Sequence, residues 1–136
     1  MPWVWSLRAY NENGQSILDE WYREQTGKVR AAFRVRMQYL LQNKREKWVR
    51  PYYAPLKGAC LGLGEVRIHA NRVQHRPIGF VEIEAMEFTL VAFAREKGGK
   101  FIPGNTCSVG QRRKMECQND RGATRECQWI RGSSMA

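Results

Sequence analysis

Hydrophobic and polar positions change their period several times along this chain, and each change marks an element. Trp3, Trp5 and Leu7 alternate with Val4, Ser6 and Arg8, the two-residue period of a strand over Trp3–Tyr10. Asn11 to Gly14 then reads as a turn. Ser16 opens a helix, because its hydroxyl can accept from the amide of Asp19 while Asp19 reaches back. Ile17, Leu18, Trp21 and Tyr22 give that helix one apolar face, and Gly27 is placed to end it. A second helix is expected from Lys28 to Gln42, with Val29, Phe33, Met37, Leu40 and Leu41 as its stripe. The short connection between the two predicts an antiparallel helical hairpin.

Beyond a basic connector, period two returns. Val66, Ile68 and Ala70 alternate with Glu65, Arg67 and His69 over Gly64–Ala70. Asn71-Arg72 turns the chain into a strand from Val73 to Ile83, where Pro77 and Gly79 predict a bulge or an edge. Phe88–Arg95 is nearly all apolar, which suits a central strand. Lys97 to Lys100 reads as a flexible basic loop, and a last helix follows, capped by Asn105 or Ser108 and reaching about Asn119. From Asp120 onward periodicity fades, so residues 120–136 are expected to be a flexible tail behind a single domain, residues 1–119. The predicted fold class is α+β: a small, mainly antiparallel sheet, covered on one face by the N-terminal helical hairpin, with a C-terminal helix.

Charge narrows the partners. The 136 residues carry 23 basic and 13 acidic side chains, a formal net charge of +10. A field of that size favours polyanions such as RNA or DNA. The strands add a pattern of their own, because Arg67, Arg76 and Arg95 fall one on each of three consecutive segments. A guanidinium binds phosphate through a planar fork and stays charged. The plain alternative is exposed strand arginines paired with Glu65 or Glu82, and a solvated His69. The four cysteines form no C-x-x-C pair and the two histidines lie apart from the last three, so no metal site and no cofactor is expected. The start of the chain shows no secretory pattern and no run of about 18 apolar residues exists, which predicts a cytoplasmic protein with free thiols and no membrane contact.

Several of these words, in this order, resemble the RelE/ParE toxin superfamily, and more closely its HigB-like, phage-derived branch. They are Leu56-Lys-Gly58, Gly64-Glu-Val-Arg-Ile68, Arg76 opening an apolar strand, and Phe93-Ala-Arg-Glu-Lys-Gly-Gly-Lys-Phe-Ile-Pro103. The resemblance covers roughly residues 3 to 119. It implies a RelE-like fold and the toxin of a type II toxin–antitoxin pair: a metal-independent, ribosome-dependent endoribonuclease in which a ribose 2′-OH attacks the adjacent phosphate. It implies a cognate antitoxin, the ribosome and mRNA as partners. By position it implies that Arg67, Arg76 and Arg95, with His69 as a stand-in acid or base, carry catalysis. It also implies that Lys97, Lys100, Arg112 and Arg113 contact RNA. The alternatives within the resemblance are a ParE-like toxin that binds DNA gyrase and cuts nothing, and a phage-derived relative without toxicity. Two departures stand out. The last helix has no tyrosine, leaving His69 or His75 for proton transfer. Glu96 stands where relatives often carry a base, and a carboxylate there repels phosphate unless it acts as a base or pairs with Arg95.

Overall fold

A computed structural model describes residues 3–132. The described residues form one mixed sheet of nine strands and three α-helices. In order these are β1 (Ser6–Glu12), β2 (Gln15–Ser16), α1 (Ile17–Glu24), α2 (Gly27–Leu41), β3 (Tyr53–Pro55), β4 (Gly64–Val66), β5 (Ile68–Ala70), β6 (Val73–Glu82), β7 (Glu87–Lys97), β8 (Lys100–Ile102), α3 (Thr106–Asn119) and β9 (Thr124–Glu126). The spatial order is β2-β1-β7-β6-β4-β3, with β5 on β6, β8 on β7 and β9 on β1. β1 runs parallel to β7, and the other pairs are antiparallel.

This overturns the small antiparallel sheet under a helical hairpin, and with it the RelE-like fold. The sheet is larger and contains a parallel pair. The first two helices cover different strands: α1 packs along β1 and β7, whereas α2 packs over β5 and the segment Trp129–Arg131. Gly27 does not close α1 but begins α2, whose cap is the Thr26 side chain accepting from the Val29 amide. Half of the expected capping box on α1 forms: the Ser16 hydroxyl accepts from the Asp19 amide, while the Asp19 carboxylate accepts from Trp129 Nε1 instead of reaching back.

Both faces of the sheet carry a core, and α3 covers only part of the second. Leu7, Leu18, Phe33, Met37, Leu40, Trp48, Phe88 and Leu90 join a large core beneath α1 and α2. A smaller core of Leu63, Ile78, Phe80, Val91 and Ala92 lies under α3 on the other face. The bulge falls where Pro77 and Gly79 suggest, between Ile78 and Gly79. A Cβ on Gly79 would lie 2.4 Å from the Thr89 carbonyl oxygen, so only glycine allows the strands to close there.

The segment after Asp120 is built into the fold rather than frayed. β9 pairs with β1, Cys127 and Ile130 are buried in the large core, and Arg121 forms two hydrogen bonds to Glu87 at 2.9 and 2.6 Å. That pair holds the Glu87 carboxyl below its ordinary pKa. Residues 133–136 lie outside the described residues. The thiols also differ from expectation. Cys60 and Cys107 form a disulfide that ties the loop before β4 to the start of α3, while Cys117 and Cys127 are free. The bond replaces two of the four free thiols expected from the sequence. Among the described residues no helix is long and apolar enough to cross a membrane.

Candidate functional site

Polar chemistry concentrates at one end of the sheet, on the face that α3 leaves open. Val66 and Ile68 enter the large core, so the intervening Arg67 points to the opposite face. On β6, register pairs His69 with Gln74 and, one strand further, Gln74 with Glu96. Directly opposed residues share a face, so His69, Gln74 and Glu96 form a row across β5, β6 and β7. The neighbouring row holds Arg67 and Arg76, and Glu65 lies beyond it opposite Ile78.

Glu65, Arg67, Gln74, Arg76 and Glu96 form one ion-pair network, and His69 lies beside it on the same face. Arg67 donates through Nη1 to Glu65 Oε2. Arg76 donates through Nε to Glu96 Oε1 at 3.0 Å, through Nη1 to the His75 carbonyl at 3.0 Å and through Nη2 to Gln74 Oε1 at 3.1 Å. Its Nε also lies 3.7 Å from Glu65 Oε2. The side chains of Arg76 and Glu65 are only 2% and 5% exposed, whereas Glu96 and Arg67 are 29% and 23% exposed. Arg76 and Glu65 therefore form a buried scaffold, and Glu96 and Arg67 are the two charged groups it presents to solvent. Both line a cleft of about 300 Å³ with Arg50, Leu56 and Phe101. Glu96 also borders a second cleft of about 370 Å³, with Arg72, Gln74, Arg95 and Lys97.

The residues predicted from sequence are thus divided. Arg67 and His69 share the open face, and His69 is exposed. Arg76 is on that face too, but it is buried and its fork is occupied by protein acceptors, so it positions its neighbours instead of contacting a phosphate. Arg95 pairs with His75 in register and points to the other face, towards α1. The three arginines do not form one clasp. Lys97 and Lys100 flank a tight hairpin turn made by Gly98 and Gly99, both with positive φ, and both lysines are exposed at the rim. Arg112 is exposed on α3. Arg113 is not available to RNA: it donates to the Val91 carbonyl at 3.0 Å and to Glu12 at 3.3 Å, and lies over the Tyr10 ring. Glu96 pairs with Arg76, not with Arg95. Glu65 carries no role in the sequence reading beyond neutralising arginine, although its alternation with Arg67 and His69 already puts it on their face.

No family model, no curated protein and no solved structure matches the chain. Among the described residues no group of three or more His, Cys, Asp or Glu side chains converges as a metal site.

The scaffold has a direct consequence for stability. Arg76→Ala would leave Glu65 and Glu96 facing each other without the guanidinium between them. Removing one partner of a buried ion pair costs about 3–5 kcal/mol. Urea unfolding of Arg76→Ala against the parent protein measures it, and a loss below about 1 kcal/mol would mean that the network does not hold this end of the sheet.

Proposed function

We propose that the open face of β5, β6 and β7 binds RNA and cleaves its backbone by attack of a ribose 2′-OH on the adjacent phosphorus. The observation that carries this reading is the pairing, in one cleft, of a solvent-open carboxylate with a solvent-open guanidinium: Glu96 and Arg67, each held by a buried counter-charge. Glu96 takes the proton of the 2′-OH as its oxygen bonds to phosphorus. Arg67 binds the non-bridging oxygens, whose charge grows in the transition state. The P–O5′ bond breaks, and His69 in its protonated form gives a proton to the leaving oxygen. The products are a 2′,3′-cyclic phosphate and a 5′-hydroxyl. His69 and Glu96 sit two strand spacings apart, about 10 Å between Cα atoms, which leaves room for the reacting phosphate between their side chains. The net charge of +10 draws the polyanion to the surface.

A toxin acting on mRNA at the ribosome, restrained by an antitoxin, is the finer form of this reading, and it places the chemistry in the cytoplasm. The Cys60–Cys107 disulfide favours a second setting, an oxidising compartment in which free RNA is the substrate. Inducing the protein in cells and mapping mRNA 5′ ends separates them. Codon-phased ends that vanish with Glu96→Gln and Arg67→Ala support the ribosomal toxin. Intact mRNA, with cleavage of free RNA by the purified oxidised protein, supports the second setting. Intact mRNA with gyrase-dependent DNA damage and no cleavage in vitro removes the nuclease reading.

A further inference from the structure

The face opposite Glu96 carries a pocket of different character at the same end of the sheet. Trp21, Gln25, His75, Phe93, Arg95 and Ile102 contribute to its lining, and it holds about 280 Å³. The Trp21 and Phe93 rings stack at 4.6 Å with 9° between their planes, and His75 meets Trp21 edge-on at 6.2 Å. His75 is only 7% exposed, yet its Nε2 is buried without a hydrogen-bond partner. Burial holds its pKa below the ordinary histidine value, assisted by the charges of Arg95 and Arg76, which favours the neutral ring. A buried polar atom left unpaired is costly, and a ligand that hydrogen-bonds to it recovers that cost. Gln25 donates its amide nitrogen to the Trp21 carbonyl at 3.0 Å, which leaves its side-chain oxygen free to accept. Arg95 at the mouth is exposed and has no carboxylate within 4.0 Å among the described residues.

We propose that this pocket binds a nucleotide, the base packed on the exposed part of the Trp21–Phe93 stack, whose facing sides are closed on each other, with a hydrogen bond to His75 Nε2, and the phosphate on Arg95. Aromatic walls fit a flat ring, a neutral imidazole and an amide oxygen fit its polar edge, and an unpaired guanidinium fits an anion beside it. A plain phosphate needs none of the aromatic walls, and a plain aromatic ring needs no arginine. The site also has an outlet. Arg95 and Ile102 border the second cleft as well, and that cleft includes Glu96. Resting on the reading that the Glu96 face takes RNA, the pocket is a base-binding subsite for a nucleotide next to the cleaved bond, reached around the β8 edge past Arg95 and Lys97.

Calorimetric titration of the intact protein with the four 5′-ribomononucleotides, the matching nucleosides and ribose 5-phosphate tests this. At least one mononucleotide should bind about tenfold tighter than ribose 5-phosphate, the scale of one base stacked on an aromatic platform. Arg95→Gln, at an exposed position, should erase the advantage of that nucleotide over its nucleoside. Phe93→Leu should erase its advantage over ribose 5-phosphate, and binding should shift the imidazole nitrogen resonances of His75. Equal affinity for mononucleotide and ribose 5-phosphate, no binding at all, or an Arg95→Gln variant that binds as the parent does would each overturn the proposal. RNA cleavage by the same preparation keeps the two sites apart. Cleavage without mononucleotide binding eliminates the pocket alone, and mononucleotide binding without cleavage eliminates the proposed reaction alone.

Discussion

Glu96→Gln is expected to lower the rate of RNA cleavage by about 10²–10⁴-fold, the contribution of a positioned general base, while the fold stays intact. The substitution separates chemistry from structure because glutamine keeps an oxygen where Arg76 Nε now donates at 3.0 Å. The guanidinium keeps its acceptor, and Glu65 still lies 3.7 Å away as counter-charge. Only the capacity to take a proton is lost. Arg67→Ala should also slow cleavage, but with a weakened dependence on salt, since it removes a phosphate contact. A Glu96→Gln protein that unfolds like the parent and cleaves at the parental rate would show that the carboxylate serves only the ion-pair network.

Removing residues 121–136 is expected to abolish stable folding. Ile130 is fully buried and Cys127 is 6% exposed. Burial of an isoleucine side chain alone is worth about 1.5–3 kcal/mol. Also lost are the β9 ladder on β1, the Glu87–Arg121 pair, and the 2.9 Å hydrogen bond from Trp129 to Asp19. Trp129 leaves the Tyr22 ring as well, which it meets at 4.5 Å. Domains of this size are stable by only about 5–15 kcal/mol, so the combined loss consumes most or all of that margin. Circular dichroism of the truncated chain, and its melting temperature if it folds, gives the answer. A melting temperature equal to that of the full chain would show that this segment rests on the fold without supporting it.

The elements that could be read from the sequence are those whose signal is local. Ser16 caps α1 because a hydroxyl three residues before an amide needs nothing else. The Arg67 and His69 face follows from simple alternation with Val66 and Ile68. Long-range features leave no such mark. The parallel β1–β7 pair joins segments about 80 residues apart, and the Cys60–Cys107 disulfide joins cysteines 47 residues apart. β9 has three residues, too few to show a period, and so the segment around it reads as a tail. Arg95 is the instructive miss. β7 is apolar on both faces, so its period does not reveal which way Arg95 points, and one arginine per strand suggests a single surface. Its direction is set by the register with β6, where it opposes His75 while Glu96 opposes Gln74. That one-residue difference moves Glu96 from a departure in a basic loop to the centre of the site, and moves Arg95 to the nucleotide pocket behind it.

The most direct measurement is the chemistry of the product ends when the purified, oxidised protein is incubated with single-stranded RNA in excess chelator. The predicted products carry 2′,3′-cyclic phosphates and 5′-hydroxyls, and they are absent with Glu96→Gln. Products with 5′-phosphates that form only when divalent metal is supplied, or RNA that stays intact under both conditions, would contradict a 2′-OH reaction run by Glu96, Arg67 and His69.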